Sequence, residues 1–349
     1  METLLLDADA VDAHSPTTAV VDAVEAAFAA HARGETVMPA KSYVDLPQYD
    51  GDFRSMPAYL DADDWDAAGL KWVNSHTENR RRHDLPTVMA TMCYSDPETG
   101  LPLAIMDGTT LTTKRTGAAA AVATDHLAVR DATTLGLVGA GTQSYAQLDA
   151  VLTVRPIETV VVADADADRA AAFVEAVRDR VDARVGAVAE AAACDVVSTT
   201  TPVRDPIVES AGDHTHVNAV GADAPGKHEL ADDLLAAAKL VVDDREQCTH
   251  SGEINVPYAA GRLTDEDIHA ALGAVVIGEA TGRTPADGVT VFDSTGLAVQ
   301  DVAAPPPLSR PGAAAGTGGG VAPLGLRRAR RPRARPPPAR AGRVPRGRP

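Results

Sequence analysis

The spacing of apolar residues changes along the 349-residue chain and predicts a different architecture in each part. Near the N-terminus, Val20, Val24 and Phe28 recur at helical spacing, after a Ser-Pro start and before Gly34, which is suited to end a helix. Short apolar runs broken by Pro, Gly and Asp then predict strands at residues 41–46, 55–60, 70–73, 87–94 and 103–106. The N-terminal third is therefore predicted to be α+β.

After a helix expected at residues 111–129, apolar runs alternate with helix-compatible segments from residue 134 to about residue 243. The later runs are at residues 160–163, 195–200, 216–220 and 240–243. Strands that alternate with helices are typical of a doubly wound parallel sheet, so the chain is predicted to be α/β.

The end of the first of these strands carries the motif with the clearest chemistry. Four mostly apolar residues lead into Gly-Ala-Gly-Thr-Gln at residues 139–143, and a helix-compatible segment follows. In a dinucleotide fingerprint the first Gly allows a tight turn and the second lets the backbone approach the pyrophosphate, while the helix N-terminus supplies N–H donors. The third small residue of that fingerprint is replaced by Ser144.

The next predicted strand ends at Asp164, about 25 residues after the start of the glycine motif, where an acidic residue contacts an adenosine ribose in such folds. A carboxylate at this position would repel a 2′-phosphate. The pattern therefore predicts a nicotinamide-cofactor domain that binds NAD rather than NADP.

Charge divides the chain at residue 305. The formal net charge is −17, but residues 305–349 contain 11 Arg and no acidic residue, so residues 1–304 carry −28. Those residues contain 49 acids and only five Lys. Such a surface is soluble when salt screens its self-repulsion, which indicates a halophilic cytoplasm and argues against nucleic-acid partners.

Composition argues against several further classes of protein. There is no run of 18 apolar residues and no basic leader, so we expect neither a membrane span nor a signal peptide. Cys93, Cys194 and Cys248 form no closely spaced pair, so we expect no disulfide framework and no metal site. The interpretation is a cytoplasmic protein that acts on a small molecule.

Three charged residues are candidates for site chemistry, and each has an ordinary structural alternative. Arg54 could hold a substrate carboxylate through its guanidinium fork, or pair with a surface acid. Lys71 lies between Leu70 and Trp72; burial would lower its pKa and suit it to proton transfer, whereas exposure would make it a strand-edge lysine. Asp223 follows a strand where ligands of doubly wound sheets bind, although turn acids are also common there.

Two neighbouring cations, Lys114 and Arg115, open an Ala-rich helix. They could meet a pyrophosphate at the boundary between two domains, or lie in a solvated first turn. The sequence leaves both alternatives open.

Eight segments carry a resemblance that runs from residue 1 to about residue 303. They are Met-Pro-Ala-Lys at 38–41, Arg-Ser-Met-Pro-Ala at 54–58, Gly-Leu-Lys-Trp-Val-Asn-Ser-His at 69–76, Lys-Arg-Thr-Gly-Ala at 114–118, the glycine motif at 139–143, Gly-Ala-Asp-Ala-Pro-Gly-Lys at 221–227, Gly-Glu-Ile-Asn-Val at 252–256, and Val-Phe-Asp-Ser-Thr-Gly-Leu-Ala-Val-Gln-Asp at 291–301. In these segments the chain resembles the ornithine cyclodeaminase/mu-crystallin family, and most closely its archaeal alanine dehydrogenase branch.

The resemblance implies a substrate-binding and dimerisation domain formed by residues 1–125 with residues 297–304, and a Rossmann-type NAD-binding domain, residues 126–296, inserted between them. It assigns Arg54 to the substrate carboxylate, Lys71 to acid/base chemistry at the carbonyl or amine, and Asp223 to the reacting centre. The cofactor contacts that it implies are Arg115, Gly139, Gly141, Thr142, Gln143, Asp164, Val220, Gly221, Ala222 and Ser294.

The activity implied by the resemblance is NAD-dependent oxidative deamination of L-alanine to pyruvate and ammonia, by a homodimer. An ornithine cyclodeaminase, which would convert ornithine to proline and ammonia with bound NAD, shares the scaffold. A ketimine reductase, or a cofactor-binding protein without turnover, is the third alternative. An intact Arg54, Lys71 and Asp223 argue against a protein without turnover.

Residues 305–349 differ in character from the rest of the chain. Pro, Arg, Gly and Ala dominate without any period, which predicts disorder. The prolines at 305–307 cannot continue a helix, and the abrupt loss of every acid is typical of a GC-rich gene read in the wrong frame. We interpret this segment as a frameshift product; a genuine basic arm is the alternative.

Overall fold

The computed structural model describes residues 3–62, 65–304 and 319–321. The first part of the chain builds one sheet and the helices that cover it. Its elements are β1 (Thr3–Leu6), α1 (Ala8–His14), α2 (Thr17–Ala32), β2 (Thr36–Val37), β3 (Ser42–Leu46), β4 (Gly51–Ala62), β5 (Trp65–His76), α3 (Asn79–His83), β6 (Val88–Ser95), β7 (Pro102–Asp107) and α4 (Gly108–Leu127).

The second part of the chain alternates strands and helices. Its elements are β8 (Thr134–Val138), α5 (Thr142–Val154), β9 (Thr159–Ala163), α6 (Ala167–Val177), β10 (Asp182–Val185), α7 (Val188–Ala192), β11 (Val196–Thr199), β12 (His216–Ala219), α8 (Asp232–Ala237), β13 (Lys239–Val242), α9 (Arg245–Ser251), α10 (Asn255–Ala259), β14 (Ile268–Ala271), α11 (Leu272–Val276), β15 (Thr290–Asp293), α12 (Ala298–Ala303) and β16 (Gly319–Val321).

The first sheet has the strand order β16-β1-β7-β6-β5-β4-β2, with β3 also paired to β4. Its two longest strands form the β4–β5 hairpin, in which Arg54 lies opposite Val73 and Met56 lies opposite Lys71. Because side chains alternate between the two faces of a strand, these four residues share one face. All four are buried. Helices α2, α4 and α12 pack against this part of the molecule.

The predicted strands are present, but two of them are longer than their apolar runs. The runs at residues 55–60 and 70–73 are the middles of β4 and β5, which have 12 residues each. Pairing continues through polar positions such as Asp52 and Ser75 because the two strands supply each other's backbone hydrogen bonds.

The second sheet is parallel throughout and has the order β10-β9-β8-β11-β12-β15-β13-β14. The predicted doubly wound α/β sheet is confirmed. The chain moves outward in one direction from β8 to β10 and then returns to the other side at β11. The carboxyl ends of β8 and β11 therefore form the switch point of the sheet, where ligands bind in such folds.

Helix α4 joins the two parts and crosses α5 closely. A Cβ added at Gly117 would lie 2.4 Å from the carbonyl oxygen of Ala146, so only glycine lets the two backbones approach. Gln147 donates to the carbonyl of Thr116 at 3.3 Å, and Asn218 donates to the hydroxyl of Thr124 at 3.0 Å. These contacts fix α4 against the second sheet.

The predicted disordered segment at 305–349 lies outside the described residues, except for Gly319–Val321. Those three residues pair antiparallel with β1, with Thr3 opposite Val321. Within the described part of the chain, no helix combines the length and the apolar character needed to cross a membrane.

We predict that Gly117→Ala destabilises the protein by about 1–3 kcal/mol, because the added methyl group is forced against backbone. The measurement is the midpoint of denaturant unfolding at fixed molar KCl. Gly141→Ala is the control: no heavy atom lies within 4 Å of its Cβ position, so its cost should be about 1 kcal/mol or less. Equal midpoints for Gly117→Ala and wild type would contradict the packing argument.

Candidate active site

The glycine motif forms the turn that the sequence predicted. Gly139 has φ +103°, a conformation that favours glycine, and a Cβ there would lie 2.6 Å from the hydroxyl of Thr200. Ser144, which departs from the strict fingerprint, is fully buried and donates its hydroxyl to the carbonyl of Gly139 at 2.6 Å. The serine therefore stabilises the turn by a hydrogen bond at the place where the fingerprint has a small apolar residue.

The other side of this turn has room and donors for a phosphate group. Helix α5 begins directly after Gly141, and no heavy atom lies within 4 Å of the position of a Cβ on that glycine. The side-chain oxygen of Gln143 is buried and has no hydrogen-bond partner among the described residues. The free N–H groups of this open helix N-terminus fit a dinucleotide pyrophosphate, whereas the oxygen of Gln143 can only accept a hydrogen bond and would need a donor from another part of the ligand.

Asp164 lies at the end of β9 and faces the glycine turn. Its carboxylate accepts hydrogen bonds from the backbone N–H groups of Ala140, at 2.7 Å, and Asp166, at 2.8 Å. The guanidinium of Arg169 lies 3.6 Å away. The ribose contact expected of Asp164 stays a prediction, but the carboxylate is at the correct edge of the sheet for it.

Lys71 is buried, which favours the functional interpretation over a strand-edge lysine. Its side chain is 1 % exposed, and Nζ forms an ion pair with the equally buried Asp301 at 2.7 Å. Burial lowers the pKa of Lys71 to about 7, although Asp301 opposes this change. An amine with that pKa exchanges protons readily near neutral pH.

Arg115 reaches the same carboxylate from helix α4. Its Nε donates to Asp301 at 2.8 Å, and its Nη1 donates to the side-chain oxygen of Gln300 at 3.3 Å. The guanidinium packs on Gly296, where φ is +77° and a Cβ would lie 2.4 Å from Nη1. Arg115 thus lies at the boundary between the two parts of the chain.

The neighbouring cation points elsewhere. Lys114 pairs with Asp12 at 2.7 Å and donates to the backbone carbonyl of Ser15 at 2.8 Å. Consecutive helical residues are about 100° apart around the axis, so Lys114 and Arg115 face different surroundings. The suggestion that both cations meet a pyrophosphate is wrong for Lys114.

Arg54 is the centre of a second group of charges. Its Nε and Nη2 donate to the two oxygens of Asp52 at 2.8 and 3.0 Å. Its Nη1 donates to the carboxylate of Asp223 at 3.2 Å, across the cleft from the loop after β12. The ring of Tyr43 lies 5.5 Å from the guanidinium carbon, within cation–π distance.

Asp223 is held by cations on two sides. Lys227 donates to one carboxylate oxygen, and Arg54 donates to the other. Burial would raise the pKa of Asp223, but Lys227 and Arg54 hold it at about 2. The group is therefore a carboxylate at neutral pH, and only the loss of one cation would make it a stronger base.

Lys41 is a site residue to which the sequence assigned no role. Its Nζ donates to the backbone carbonyl of Thr295 at 3.2 Å, so it bridges the loop after β2 and the segment before α12. Burial lowers the pKa of Lys41. The charges that act on Lys41 are those of Asp243, Arg115, Asp223 and Arg54, which places it between the two charged groups.

A buried glutamate holds the turn at residues 220–222. One oxygen of Glu229 accepts from Gly221 N at 3.1 Å and from the hydroxyl of Thr199 at 2.8 Å. A Cβ on Gly221 would lie 2.3 Å from that oxygen, so the close approach requires glycine. Ala222 is fully buried. Val220 is the first residue of this turn and follows directly after β12.

Ser294, the last of the expected cofactor contacts, lies directly after β15. Its hydroxyl donates to the carboxylate of Asp243 at 2.9 Å. The same oxygen accepts from Gly296 N at 2.8 Å, so Asp243 fixes the backbone that leads into α12.

The structure therefore brings the predicted residues into two linked groups: Lys71 with Arg115, and Arg54 with Asp223. Sequence reasoning missed Asp52, Asp301 and Lys227 as their partners, and it missed Lys41 as a site residue. Lys41, Lys227 and Asp301 stand inside segments that carry the family resemblance, which is the signal that could have found them. Lys71 and Asp301 are far apart in the sequence, so no local pattern indicated that they are in contact.

Comparisons with known proteins show the family to which the chain belongs. The ornithine cyclodeaminase/mu-crystallin family matches residues 1–306. An alanine dehydrogenase of Archaeoglobus fulgidus is 46 % identical over 306 residues, which is 87 % of this chain and 93 % of that protein.

Two solved structures are similar in both fold and sequence. An archaeal alanine dehydrogenase dimer with bound NAD superposes with a TM-score of 0.83 at 46 % identity, over 87 % of this chain and 94 % of that one. The Δ1-pyrroline-2-carboxylate reductase of Thermococcus litoralis, in complex with NADH and L-proline, gives 0.83 at 33 % identity, over 86 % and 95 %. The chain belongs to the ornithine cyclodeaminase/mu-crystallin family.

Proposed function

We propose that this protein is an NAD-dependent alanine dehydrogenase, which converts L-alanine to pyruvate and ammonia and catalyses the reverse reaction. The observation that carries the proposal is the buried Lys71, whose pKa burial lowers to about 7 and whose partner Asp301 also binds Arg115 of the helix that joins the two parts of the chain. The 46 % identity to an alanine dehydrogenase supports alanine as the substrate.

The cofactor would lie across the carboxyl ends of β8 and β11. Gly139, Gly141, Thr142 and Gln143 form the turn and helix N-terminus for the pyrophosphate, and Asp164 faces the ribose. The remaining cofactor contacts that we propose are Val220, Gly221, Ala222, Ser294 and Arg115, which the family resemblance implies. When bound, NAD supplies the hydride acceptor of the reaction.

The substrate carboxylate binds at Arg54. In this structure every guanidinium nitrogen of Arg54 is already engaged, with Nε and Nη2 on Asp52 and Nη1 on Asp223. A substrate carboxylate that binds Nη1 and Nη2 side by side would share Nη1 with Asp223 and weaken that ion pair. When Asp223 loses that cation, its pKa rises and it becomes a better acceptor for a proton from water.

Lys71 and Asp223 act in different steps of the reaction. Alanine loses its C2 hydrogen as hydride and one N–H proton, which neutral Lys71 accepts, and becomes an imine. Water then adds to the imine carbon while Asp223 orients it, and cleavage of the C–N bond releases ammonia and pyruvate. A cleft between two packed units suits these steps, since it can exclude water during hydride transfer and admit it for the addition to the imine.

The test is an assay in molar KCl, because residues 1–304 carry a charge of −28. We expect NADH to form with alanine, and to disappear with pyruvate and ammonia. Proline formed from ornithine without net change in NADH would replace the proposal with a cyclodeaminase. If NADH is oxidised only with a cyclic imino acid, the protein is a ketimine reductase instead. If NADH binds but no substrate is turned over, the proposal that the protein is an enzyme is wrong.

Lys71→Ala should lower kcat by about 10²- to 10⁴-fold, the usual contribution of a general acid/base. Steady-state kinetics at pH 7.5 with alanine and NAD provides the measurement. Lys114→Ala is the matched control, since Lys114 pairs with Asp12 outside the cleft, and it should keep the wild-type rate. Activity of Lys71→Ala within threefold of wild type would remove Lys71 from the mechanism.

We also propose that the protein is a homodimer that packs through the outer face of the first sheet. Leu70 and Trp72 alternate with Lys71 in β5, so they lie on the face opposite the cleft, and both are exposed. Leu5, Ile105, Cys93 and Leu70 are register neighbours across four strands, which makes a continuous row. Leu5, Cys93 and Leu70 are exposed and Ile105 is half-buried, and a largely apolar row of this kind is typical of an interface. The archaeal alanine dehydrogenase structure is itself a dimer.

Light scattering should give twice the 36.1 kDa mass of one chain for the wild type. Leu70→Asp should shift the protein to the monomer mass, because a carboxylate would be buried without a partner. Leu85→Asp, at an exposed leucine in the loop between α3 and β6 rather than on a strand, should remain dimeric. A monomeric wild type, or a dimeric Leu70→Asp, would contradict the proposed interface.

We also propose that the protein is located in a salt-rich cytoplasm. The net charge of −28 on residues 1–304 supports this location. Cys93, Cys194 and Cys248 are all free thiols, as a reducing compartment would keep them.

A further inference from the structure

The carboxylate of Asp301 lies between two buried cations. Its Oδ2 is 2.7 Å from Nζ of Lys71, and its Oδ1 is 2.8 Å from Nε of Arg115. The exposed fractions of the three side chains are 1 % for Lys71, 7 % for Arg115 and 0 % for Asp301. Among the described residues, no other carboxylate lies within 4.0 Å of either cation.

The backbone that carries Asp301 is itself held in place. Asp243 accepts from Gly296 N at 2.8 Å, and the side-chain oxygen of Gln300 accepts from Leu297 N at 3.1 Å. These bonds fix the start of α12, so Asp301 projects into the site from a rigid support. Two cations without an intervening carboxylate would repel each other in a medium of low polarity.

We propose that Asp301 is a positioning residue, whose two oxygens hold Lys71 Nζ and Arg115 Nε at fixed points in the cleft. Asp301 does not exchange a proton with the substrate in this arrangement. It orients the amine that does so, and it joins that amine to an arginine expected to contact the cofactor. The kinetic part of this inference rests on the proposed function, whereas the titration of Lys71 does not.

The charges around Lys71 determine the direction in which its pKa should change when Asp301 is substituted. Burial lowers the pKa of Lys71, Asp301 raises it, and Arg115 and Lys41 lower it. Asp301→Asn keeps the shape of the side chain but removes the charge, so the pKa of Lys71 should fall further. A general loosening of the structure would admit water and raise the pKa toward the ordinary value of lysine. The two explanations therefore predict opposite changes.

The chain offers a direct measurement, since it contains only five Lys. With ¹³C-labelled lysine, the Cε signals are few, and Lys71→Met identifies the signal of Lys71. We expect a titration midpoint near pH 7 in the wild type, and a midpoint lower by about one pH unit or more in Asp301→Asn. Arg115→Gln should move the midpoint in the other direction, because it removes a repelling cation.

Two further variants separate positioning from stability. Asp195→Asn is a matched control, because Asp195 binds Thr133 N and Thr134 N at the far end of β8, and it should leave the midpoint of Lys71 unchanged. Asp301→Glu retains the charge and should have a midpoint closer to wild type than Asp301→Asn, which keeps the test available if the Asn variant does not fold.

In the enzyme assay, Asp301→Asn should lower kcat at least about tenfold, and its pH profile should shift to lower pH in step with Lys71, with partial rescue in Asp301→Glu. A midpoint of Lys71 that is unchanged or raised in Asp301→Asn would overturn the inference even if alanine is a substrate. A wild type that does not oxidise alanine would refute the proposed function, while the titration would still decide the role of Asp301.

Discussion

A buried carboxylate shared by two buried cations is the constraint around which the rest of the site is arranged. Charges taken out of water are costly unless they are paired and hydrogen-bonded, and Asp301 is the carboxylate that pairs with both Lys71 and Arg115. Lys71, Arg115 and Asp301 come from β5, α4 and α12, three elements far apart in the sequence. The hairpin, the connecting helix and the returning chain must therefore meet at one point for the charges to be satisfied.

The two groups of charges give the cleft its chemistry because they differ in protonation. Asp223, between Lys227 and Arg54, is held as a carboxylate by a pKa of about 2. Lys71 has a pKa of about 7, so it is poised between its charged and neutral forms. A site with one group fixed in its anionic form and another free to gain or lose a proton suits both the water addition and the proton transfers of amino-acid oxidation.

The sequence predicted features that depend on neighbouring residues, and it missed those that depend on distant ones. The turn at Gly139 and the doubly wound sheet follow from local patterns of apolar residues and glycine. Alternation along a strand showed that Lys71 faces away from Leu70 and Trp72, but it left open which of the two faces is buried. It could not supply Asp301, which reaches Lys71 only because α12 returns to the first sheet. For the same reason the sequence could not tell that Arg115 enters the site while Lys114 pairs with Asp12.

The most direct test of the account follows the hydrogen on C2 of the substrate. With L-alanine deuterated at C2, NAD and the wild-type protein in molar KCl, we predict one deuterium in the reduced dinucleotide for every pyruvate formed. Turnover should also be lost in Lys71→Ala while NAD still binds. Pyruvate formed without deuterium in the dinucleotide, or no pyruvate formed at all, would contradict the assignment of this cleft to alanine oxidation.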